Sequence, residues 1–154
     1  MEGIKKLNQV HKILDFHVTN NPDNVSVSVD GVSYTNSDIF SKVLSLVGLL
    51  KENKVTSGDR IAYLAKNSSE FIELMYASSI LGLVMVPINF RLAYEEVKFI
   101  IQDSGSKIII FGKEFRELVE KLNADKTDLH LSFGISELRN LLKSKIPGAF
   151  DVSL

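Results

Sequence analysis

Two short polar segments follow apolar runs that we interpret as buried strands, and both carry side chains able to bind an anion. The first, Lys66 to Ser69, follows the run Ile61 to Ala65 and begins a helix, whose unpaired amide groups favour negative charge. The second, Asn89 and Arg91, follows the run Leu83 to Ile88. Because open α/β sheets bind ligands at the carboxyl ends of their parallel strands, both segments are candidate binding sites.

Each candidate site has a structural alternative. The segment Lys66 to Ser69 can serve only to start its helix, because asparagine and serine side chains cap helix N-termini. Arg91 can be a surface residue that pairs with Glu95, four positions further along the chain, or that lies free in solvent. The sequence leaves these alternatives open.

No hydrolytic or metal-binding constellation is apparent. The three histidines are scattered, and none has a nucleophile and an acid at a recognisable spacing. His11 and His17 do not share a helix face, so we interpret them as partly exposed helix residues and not as metal ligands. The side chains of Glu95 and Glu96 would diverge by about 100° on a helix, so they do not form a carboxylate pair. We interpret them as part of a solvated helix start. We therefore expect no catalytic residue and no metal site within this chain.

The elements that would position the candidate sites are repeated strand–helix units. The unbroken apolar run Ile61 to Ala65 is typical of a strand buried on both faces. Leu83 to Ile88 is a second apolar run, and Lys107 to Phe111 is a third apolar strand. Helical patterns connect them and end at Gly82 and Gly105. Strands joined by helices should be parallel, with right-handed crossovers. The sequence predicts an α/β fold: a mainly parallel sheet of βαβ units with helices on both faces.

A β-hairpin is predicted before these units. The pair Asp30-Gly31 separates the alternating runs Val25 to Val29 and Val32 to Tyr34, and such a pair favours a type I′ turn. The hairpin should lie at an edge of the main sheet or in a side sheet. Further patterns predict an N-terminal helix from Ile4 to Thr19, a helix from Phe115 to Leu122, a strand from Leu129 to Phe133, and a helix from Ile135 to Leu142 that is broken by Pro147-Gly148.

Two helix starts have contrasting signals. Thr35 and Asp38 resemble a capping box, with aspartate in place of the usual glutamate. Ala93 occupies the other N-cap position, and because alanine has no acceptor for the free amide groups, this costs about 1 kcal/mol. We expect Glu95 and Glu96 to compensate in part through the helix dipole.

Composition describes a globular domain without a charge preference for nucleic acid. The 154 residues are 45% hydrophobic and 24% charged, and the net charge is −1. Cysteine is absent, which excludes disulfides and thiolate metal sites. The N-terminus lacks a signal-peptide core, and polar residues and a proline interrupt the longest apolar region, Phe71 to Ile88. We expect a cytoplasmic protein without a membrane span and without a nucleic-acid partner.

The glycines are too widely spaced for a phosphate-binding loop. Nine of them lie at positions 3, 31, 48, 58, 82, 105, 112, 134 and 148, and none is closer than seven residues to the next. A dinucleotide fingerprint or a Walker loop needs clustered glycines, so that several backbone amides can converge on one phosphate. The sequence contains neither motif.

Three motifs in order resemble the N-terminal part of the adenylate-forming acyl-CoA synthetases, the AMP-binding enzymes. They are Gly58-Asp59-Arg60, Asn67-Ser68-Ser69-Glu70-Phe71 and Val86-Pro87-Ile88-Asn89-Phe90-Arg91-Leu92. No single motif is specific, but their order and spacing are, and the resemblance runs from about Asn21 to Phe111. Peptide-synthetase adenylation domains usually have Asp-Pro where Asn89-Phe90 stands, so the chain is more similar to the CoA-ligase branch.

The resemblance implies a function for a longer parent enzyme. Residues 1–154 would be a partial N-terminal domain that ends before the family's Gly/Ser/Thr-rich ATP-binding loop. The parent would be an acid:CoA ligase that uses ATP and Mg²⁺ to activate a fatty or aryl carboxylic acid as an acyl-adenylate and then transfers it to CoA. By resemblance, Arg91 lies near the entry of CoA and, with Asn89, would contact this cofactor.

For the 154-residue chain itself, the same resemblance implies no activity and no bound cofactor. A piece of a larger sheet should expose strand edges and apolar helix faces, so self-association is expected. The alternative from a different functional class is a stand-alone α/β binding or interaction module that uses the same scaffold without catalysis.

Overall fold

The computed structural model describes residues 9–125 and 127–143. Its elements in chain order are α1 (Val10–Asn20), β1 (Val25–Val29), β2 (Val32–Thr35), α2 (Asn36–Glu52), β3 (Arg60–Leu64), α3 (Ser69–Leu81), β4 (Val84–Pro87), α4 (Tyr94–Ser104), β5 (Ile108–Phe111), α5 (Arg116–Ala124), β6 (Leu131–Gly134) and α6 (Ile135–Lys143). A short 3-10 turn, Lys113–Phe115, precedes α5. The predicted start of the first helix at Ile4 and the predicted break after the last helix at Pro147-Gly148 lie outside the described residues.

The main sheet has four parallel strands in the order β4-β3-β5-β6. Strand β3 pairs on both sides, so that Tyr63 stands opposite Pro87 of β4 and opposite Ile110 of β5. A helix follows β3, β4 and β5 before the next strand begins. The predicted mainly parallel α/β sheet of βαβ units is therefore confirmed.

Both faces of the sheet are covered because successive side chains of a strand point in opposite directions. Ile61 and Tyr63 pack into a cluster that contains residues of α1, α2, α3 and α6. Ala62 and Leu64 pack into a second cluster, with residues of α4 and α5. This alternation explains why the strand reads as a continuous apolar run, and it confirms the prediction of helices on both faces.

The predicted hairpin forms a separate two-stranded antiparallel sheet, in which β1 pairs with β2. Asp30 and Gly31 have φ of 50° and 78°, as a type I′ turn requires. The predicted capping box at the start of α2 is also present. The amide of Asp38 donates to Thr35 Oγ1 at 3.1 Å, and the amide of Thr35 donates to Asp38 Oδ2 at 2.8 Å.

Helix α4 starts without a capping side chain, as Ala93 predicts, but a glutamate replaces part of the missing interaction. The backbone amide of Ala93 donates to Glu96 Oε2 at 2.8 Å. The compensation expected from the first-turn carboxylates is thus a directed hydrogen bond as well as a dipole effect.

The interpretation of His11 as a partly exposed residue is wrong. Helix α1 packs against α2 and α3, and this contact buries His11. The amide of His11 donates to Ser79 Oγ at 3.2 Å, and its Nδ1 lies 3.0 Å from the same oxygen. His17, by contrast, is exposed. The helical spacing of His11 and the buried Leu14 was the sequence signal for this burial, but the hydrogen bond to Ser79 could not be read from the sequence.

None of the helices within residues 9–125 and 127–143 is both long and apolar enough to cross a bilayer.

Candidate functional site

The carboxyl edge of the sheet brings together the segments that follow its strands. The amide of Ile88, after β4, donates to the carbonyl of Tyr63 in β3 at 2.9 Å. The amide of Gly112, after β5, donates to the carbonyl of Leu64 at 3.0 Å. The chain therefore leaves β4, β3 and β5 at one edge, and both predicted candidate sites lie there.

Asn89 shapes the turn that follows β4. Its Oδ1 accepts a hydrogen bond from the backbone amide of Arg91 at 3.0 Å, and its carbonyl accepts from the amide of Leu92 at 3.2 Å. An asparagine that bonds the amide two residues ahead forms an Asx turn. The amide oxygen of Asn89 is thereby used within the chain, and it fixes the backbone that carries Arg91.

The side chain of Arg91 is exposed, and its guanidinium carbon lies 5.3 Å from the ring centroid of Phe90. The alternative of an ion pair with Glu95 is not realised, since no ion pair of Arg91 occurs within the described part of the chain. Arg91 is thus a cation with unused donors at the carboxyl edge, which is an arrangement that can bind phosphate.

In the segment Lys66 to Ser69, the side chain of Ser68 binds a glutamate and does not cap the helix that follows. Ser68 occupies the N-cap position of α3, but its side chain makes no capping hydrogen bond. Its Oγ donates to Glu70 Oε2 at 2.6 Å and lies 2.9 Å from the hydroxyl of Tyr63. Lys66 and Asn67 are exposed. Throughout the described ranges, no hydrogen bond or ion pair joins this segment to Arg91, so the two candidate sites share an edge without direct contact.

Two buried carboxylates on α3 form a charged cluster that the sequence reasoning missed. Glu70 and Glu73 are each 2% exposed. Arg139 of α6 donates to Glu70 through both Nε and Nη2, the latter at 3.0 Å from Oε2. Lys42 of α2 donates to Glu73 Oε1 at 3.2 Å and lies over the ring of Tyr34. The available sequence signal was two glutamates three positions apart within an otherwise uncharged helix.

The two carboxyl groups respond differently to burial. Burial raises the pKa of Glu70, but the hydrogen bonds from Arg139 and Ser68 outweigh it, so the pKa lies below its ordinary value. Burial also raises the pKa of Glu73. There the charge of Lys42 opposes burial only in part and the neighbouring Glu70 reinforces it, so the pKa lies above its ordinary value.

A pocket of about 480 Å³ opens beside this cluster, between α2, α3 and α6. We call it the α2–α3–α6 pocket. Its lining consists of Tyr34, Ser41, Lys42, Ser45, Glu70, Glu73, Arg139, Leu142 and Lys143. Within the described residues, no group of three or more His, Asp or Glu side chains is arranged to hold a metal ion.

The Gly58-Asp59-Arg60 motif lies at the opposite, amino edge of the sheet, where it connects loops. Asp59 accepts from Lys107 Nζ at 2.9 Å and from the amide and hydroxyl of Thr56 at 2.9 and 3.0 Å. These bonds, the one from Lys107 foremost, lower the pKa of Asp59 to about 2. Arg60 Nε donates to the carbonyl of Ser104 at 2.6 Å. The motif therefore secures the starts of β3 and β5.

Comparison with known proteins identifies the family. The model of the AMP-binding enzyme family matches residues 14–146. The chain belongs to this family. The resemblance seen in the three motifs is thus confirmed, and the carboxyl edge described above is that of an AMP-binding enzyme.

Curated relatives in the family are acid ligases. The chain is 32% identical to the fatty acid–[acyl-carrier-protein] ligase ScoC of Streptomyces coeruleorubidus over 121 residues. This matched region covers 79% of this chain and 23% of ScoC. It is 45% identical to the long-chain-fatty-acid–CoA ligase FadD13 of Mycobacterium tuberculosis over 82 residues. This matched region covers 53% of this chain and 15% of FadD13. The chain therefore spans less than a quarter of the length of these relatives.

Solved structures of the family have the same fold. The structure of a Mycobacterium tuberculosis fatty acyl CoA synthetase matches with a TM-score of 0.85 and 30% identity, over 97% of this chain and 31% of that one. The N-terminal domain of FACL13 from the same organism matches with a TM-score of 0.85 and 29% identity, over 96% of this chain and 39% of that domain. These matches confirm the fold prediction of an N-terminal subdomain of an adenylate-forming enzyme.

Proposed function

We propose that the chain is the N-terminal part of an AMP-forming acid:CoA ligase. The parent enzyme would activate a fatty or aryl carboxylic acid as an acyl-adenylate, with ATP and Mg²⁺, and would transfer the acyl group to the thiol of CoA. Residues 1–154 would be a partial domain that ends before the ATP-binding loop. The 45% identity to a long-chain-fatty-acid–CoA ligase supports CoA as the acceptor, as does the Asn89-Phe90 pair of the CoA-ligase branch.

The observation that carries this proposal is the state of Arg91. It is exposed at the carboxyl edge, and its guanidinium has no acidic partner within the described residues. A free guanidinium can form two parallel hydrogen bonds to a phosphate. We propose that Arg91 contacts a phosphate of CoA, and that Asn89 contributes by holding the turn that presents Arg91 and not by touching the cofactor.

The test is substitution of Arg91 in the full-length enzyme, with each half-reaction measured separately. Arg91→Ala should leave ATP–pyrophosphate exchange nearly unchanged and raise the KM for CoA. Loss of a charge-assisted bond, worth about 1.5–3 kcal/mol, corresponds to a loss of roughly ten- to hundredfold in kcat/KM for thioester formation. Arg91→Lys should recover only part of this loss, because lysine lacks the planar fork.

The matched control is Lys113→Ala. Lys113 follows β5 at the same edge and is exposed, so Lys113→Ala removes one positive charge from this edge, as Arg91→Ala does. We expect no effect of this variant on either half-reaction. Equal losses in both half-reactions for Arg91→Ala would indicate a role in folding, and no loss in either would refute the proposed contact with CoA.

The 154-residue chain alone should be inactive. Its glycines form no phosphate-binding cluster, so we expect no ATP–pyrophosphate exchange with any carboxylic acid. Exchange above a buffer blank that persists after repurification would contradict this.

A further inference from the structure

The function proposed above makes no use of the α2–α3–α6 pocket. The residues that line it come from β2, α2, α3 and α6, and the segment Asn89 to Arg91 is not among them. Its volume of about 480 Å³ is that of a site for a small organic molecule, since ligand pockets measure roughly 300–1,000 Å³. The charges on its walls determine which kind of molecule fits.

The lining contains both signs of charge, but the two signs differ in accessibility. The carboxylates of Glu70 and Glu73 are each 2% exposed, whereas the side chains of Arg139 and Lys42 are 53% and 33% exposed. Both carboxylates lie in the wall of the pocket but are already paired, Glu70 with Arg139 and Glu73 with Lys42, so the more accessible charge is positive. Uncovering a buried carboxylate for a cationic ligand would also require displacement of Lys42 or Arg139 from its ion pair.

One further cation lines the pocket. Lys143 is exposed and forms no ion pair or hydrogen bond within the described ranges, although it lines the cavity. Arg139 uses Nε and Nη2 for Glu70, which leaves its Nη1 free of any hydrogen bond described in the structure. Lys143 and the unused side of Arg139 can therefore bind an anion without breaking an existing pair.

The remaining walls suit an apolar body. The ring of Tyr34 and the side chain of Leu142 line the pocket, and Lys42 Nζ lies 3.8 Å from the centroid of that ring. Ser41 and Ser45 are small, and the hydroxyl of Ser45 donates to the carbonyl of Ser41 at 3.0 Å. An inorganic ion would leave these surfaces uncovered, whereas an aromatic or aliphatic group would fill them.

We propose that the α2–α3–α6 pocket binds a small organic anion. Its carboxylate or phosphate oxygens pair with Lys143, Arg139 and the exposed side of Lys42, and its apolar body lies against Tyr34 and Leu142. This site is separate from Arg91 and does not depend on whether the parent enzyme uses CoA.

The experiment is an NMR titration of the ¹⁵N-labelled 154-residue protein with four probes that share one ring. Benzoate and phenyl phosphate are the anions, benzyl alcohol is neutral and benzylammonium is the cation. We expect at least one anion to give saturable shifts concentrated on α2 and α6 at millimolar concentrations, with at least tenfold weaker binding of the alcohol and the cation. The stronger of the two anions identifies the oxygen chemistry.

Three variants assign the binding to this pocket. Lys143→Ala should weaken the binding of the anion at least threefold, and the matched surface variant Lys113→Ala should leave it unchanged. Glu73→Gln should strengthen it, because a negative charge behind Lys42 is removed. Unchanged spectra of the free Lys143→Ala variant outside α6 confirm that the fold is retained.

Three results would overturn the proposal. They are tighter binding of benzylammonium than of both anions, an absence of saturable shifts at the pocket, and weaker binding of the anion by Glu73→Gln.

Discussion

Arg139 donates two hydrogen bonds to the carboxylate of Glu70, a residue that lies 69 positions earlier in the chain and is almost wholly buried. The contact joins α6 to the first turn of α3. Glu70 also accepts a hydrogen bond from Ser68, whose hydroxyl lies beside that of Tyr63. A helix near the end of the described chain therefore stabilises the turn that follows β3 at the carboxyl edge.

Substitution of Arg139 should lower the free energy of unfolding more than a surface arginine would. Arg139→Ala leaves the carboxylate of Glu70 buried without its cation. We expect a loss of about 2 kcal/mol, below the full cost of breaking a buried pair because Arg139 itself is half exposed. Urea unfolding followed by circular dichroism at pH 7 measures this loss.

The control for this prediction is Arg116→Ala. Arg116 pairs with Glu137, and both side chains are about half exposed, so that the pair is screened by water. We expect a much smaller loss of stability for this variant than for Arg139→Ala. Similar losses for the two arginine variants would show that the burial of Glu70 does not strengthen its pair.

Glu70 and Glu73 should give the stability of the protein opposite dependences on pH. The pKa of Glu73 is raised by burial, so between its ordinary and its raised pKa the folded state binds more protons than the unfolded state, and stability falls as pH rises. The pKa of Glu70 is lowered, because Arg139 and Ser68 outweigh burial. Its contribution is present above the ordinary pKa and is lost as pH falls through the lowered one.

Glutamine variants test this difference in urea unfolding at pH 7 and pH 4. Glu73→Gln should stabilise the protein at pH 7 and have little effect at pH 4, where the carboxyl group is already protonated. Glu70→Gln should destabilise the protein at pH 7 and do so less as the pH falls. The same sign of change for both variants at pH 7 would contradict the assignment.

Local patterns predicted much of the fold and little of this cluster. The Asp30-Gly31 turn and the capping box at Thr35 involve residues close in sequence, so their chemistry is readable from the chain. The pairing of Glu70 with Arg139 depends instead on where α6 packs, which no local pattern specifies. The contact of His11 with Ser79 was missed for the same reason, since it depends on the docking of α1 against α3.

The candidate site was predicted in position but not in detail. Parallel strands place Arg91 and Ser68 at one edge, and the order of strands and helices in the sequence is enough to predict this. The use of Ser68 in a hydrogen bond to Glu70, in place of a cap, depends on the burial of Glu70.

Removal of the hydroxyl of Ser78 should stabilise the protein. Ser78 Oγ is buried in α3, and within the described residues it is the one buried side-chain polar atom without a hydrogen-bond partner. Because an unsatisfied buried group is costly, we expect Ser78→Ala to raise the free energy of unfolding by about 1 kcal/mol. Ser79→Ala makes the same change one position along α3, but it removes the acceptor of His11 and should lower stability. A loss of stability in Ser78→Ala would show that its hydroxyl has a partner.

The 154-residue chain should self-associate through the free edge of β4. Within the described sheet, β4 pairs with β3 alone, and Val84 on it is half exposed. An unpaired strand edge with exposed apolar side chains is a template for pairing with a second copy. We expect the apparent mass measured by light scattering to rise with protein concentration, and Val84→Lys to shift the association to at least tenfold higher concentrations.

The control Ile13→Lys adds the same charge at an exposed apolar position of α1 and should have little effect. A strictly monomeric chain, or equal effects of the two lysine variants, would exclude association through this edge.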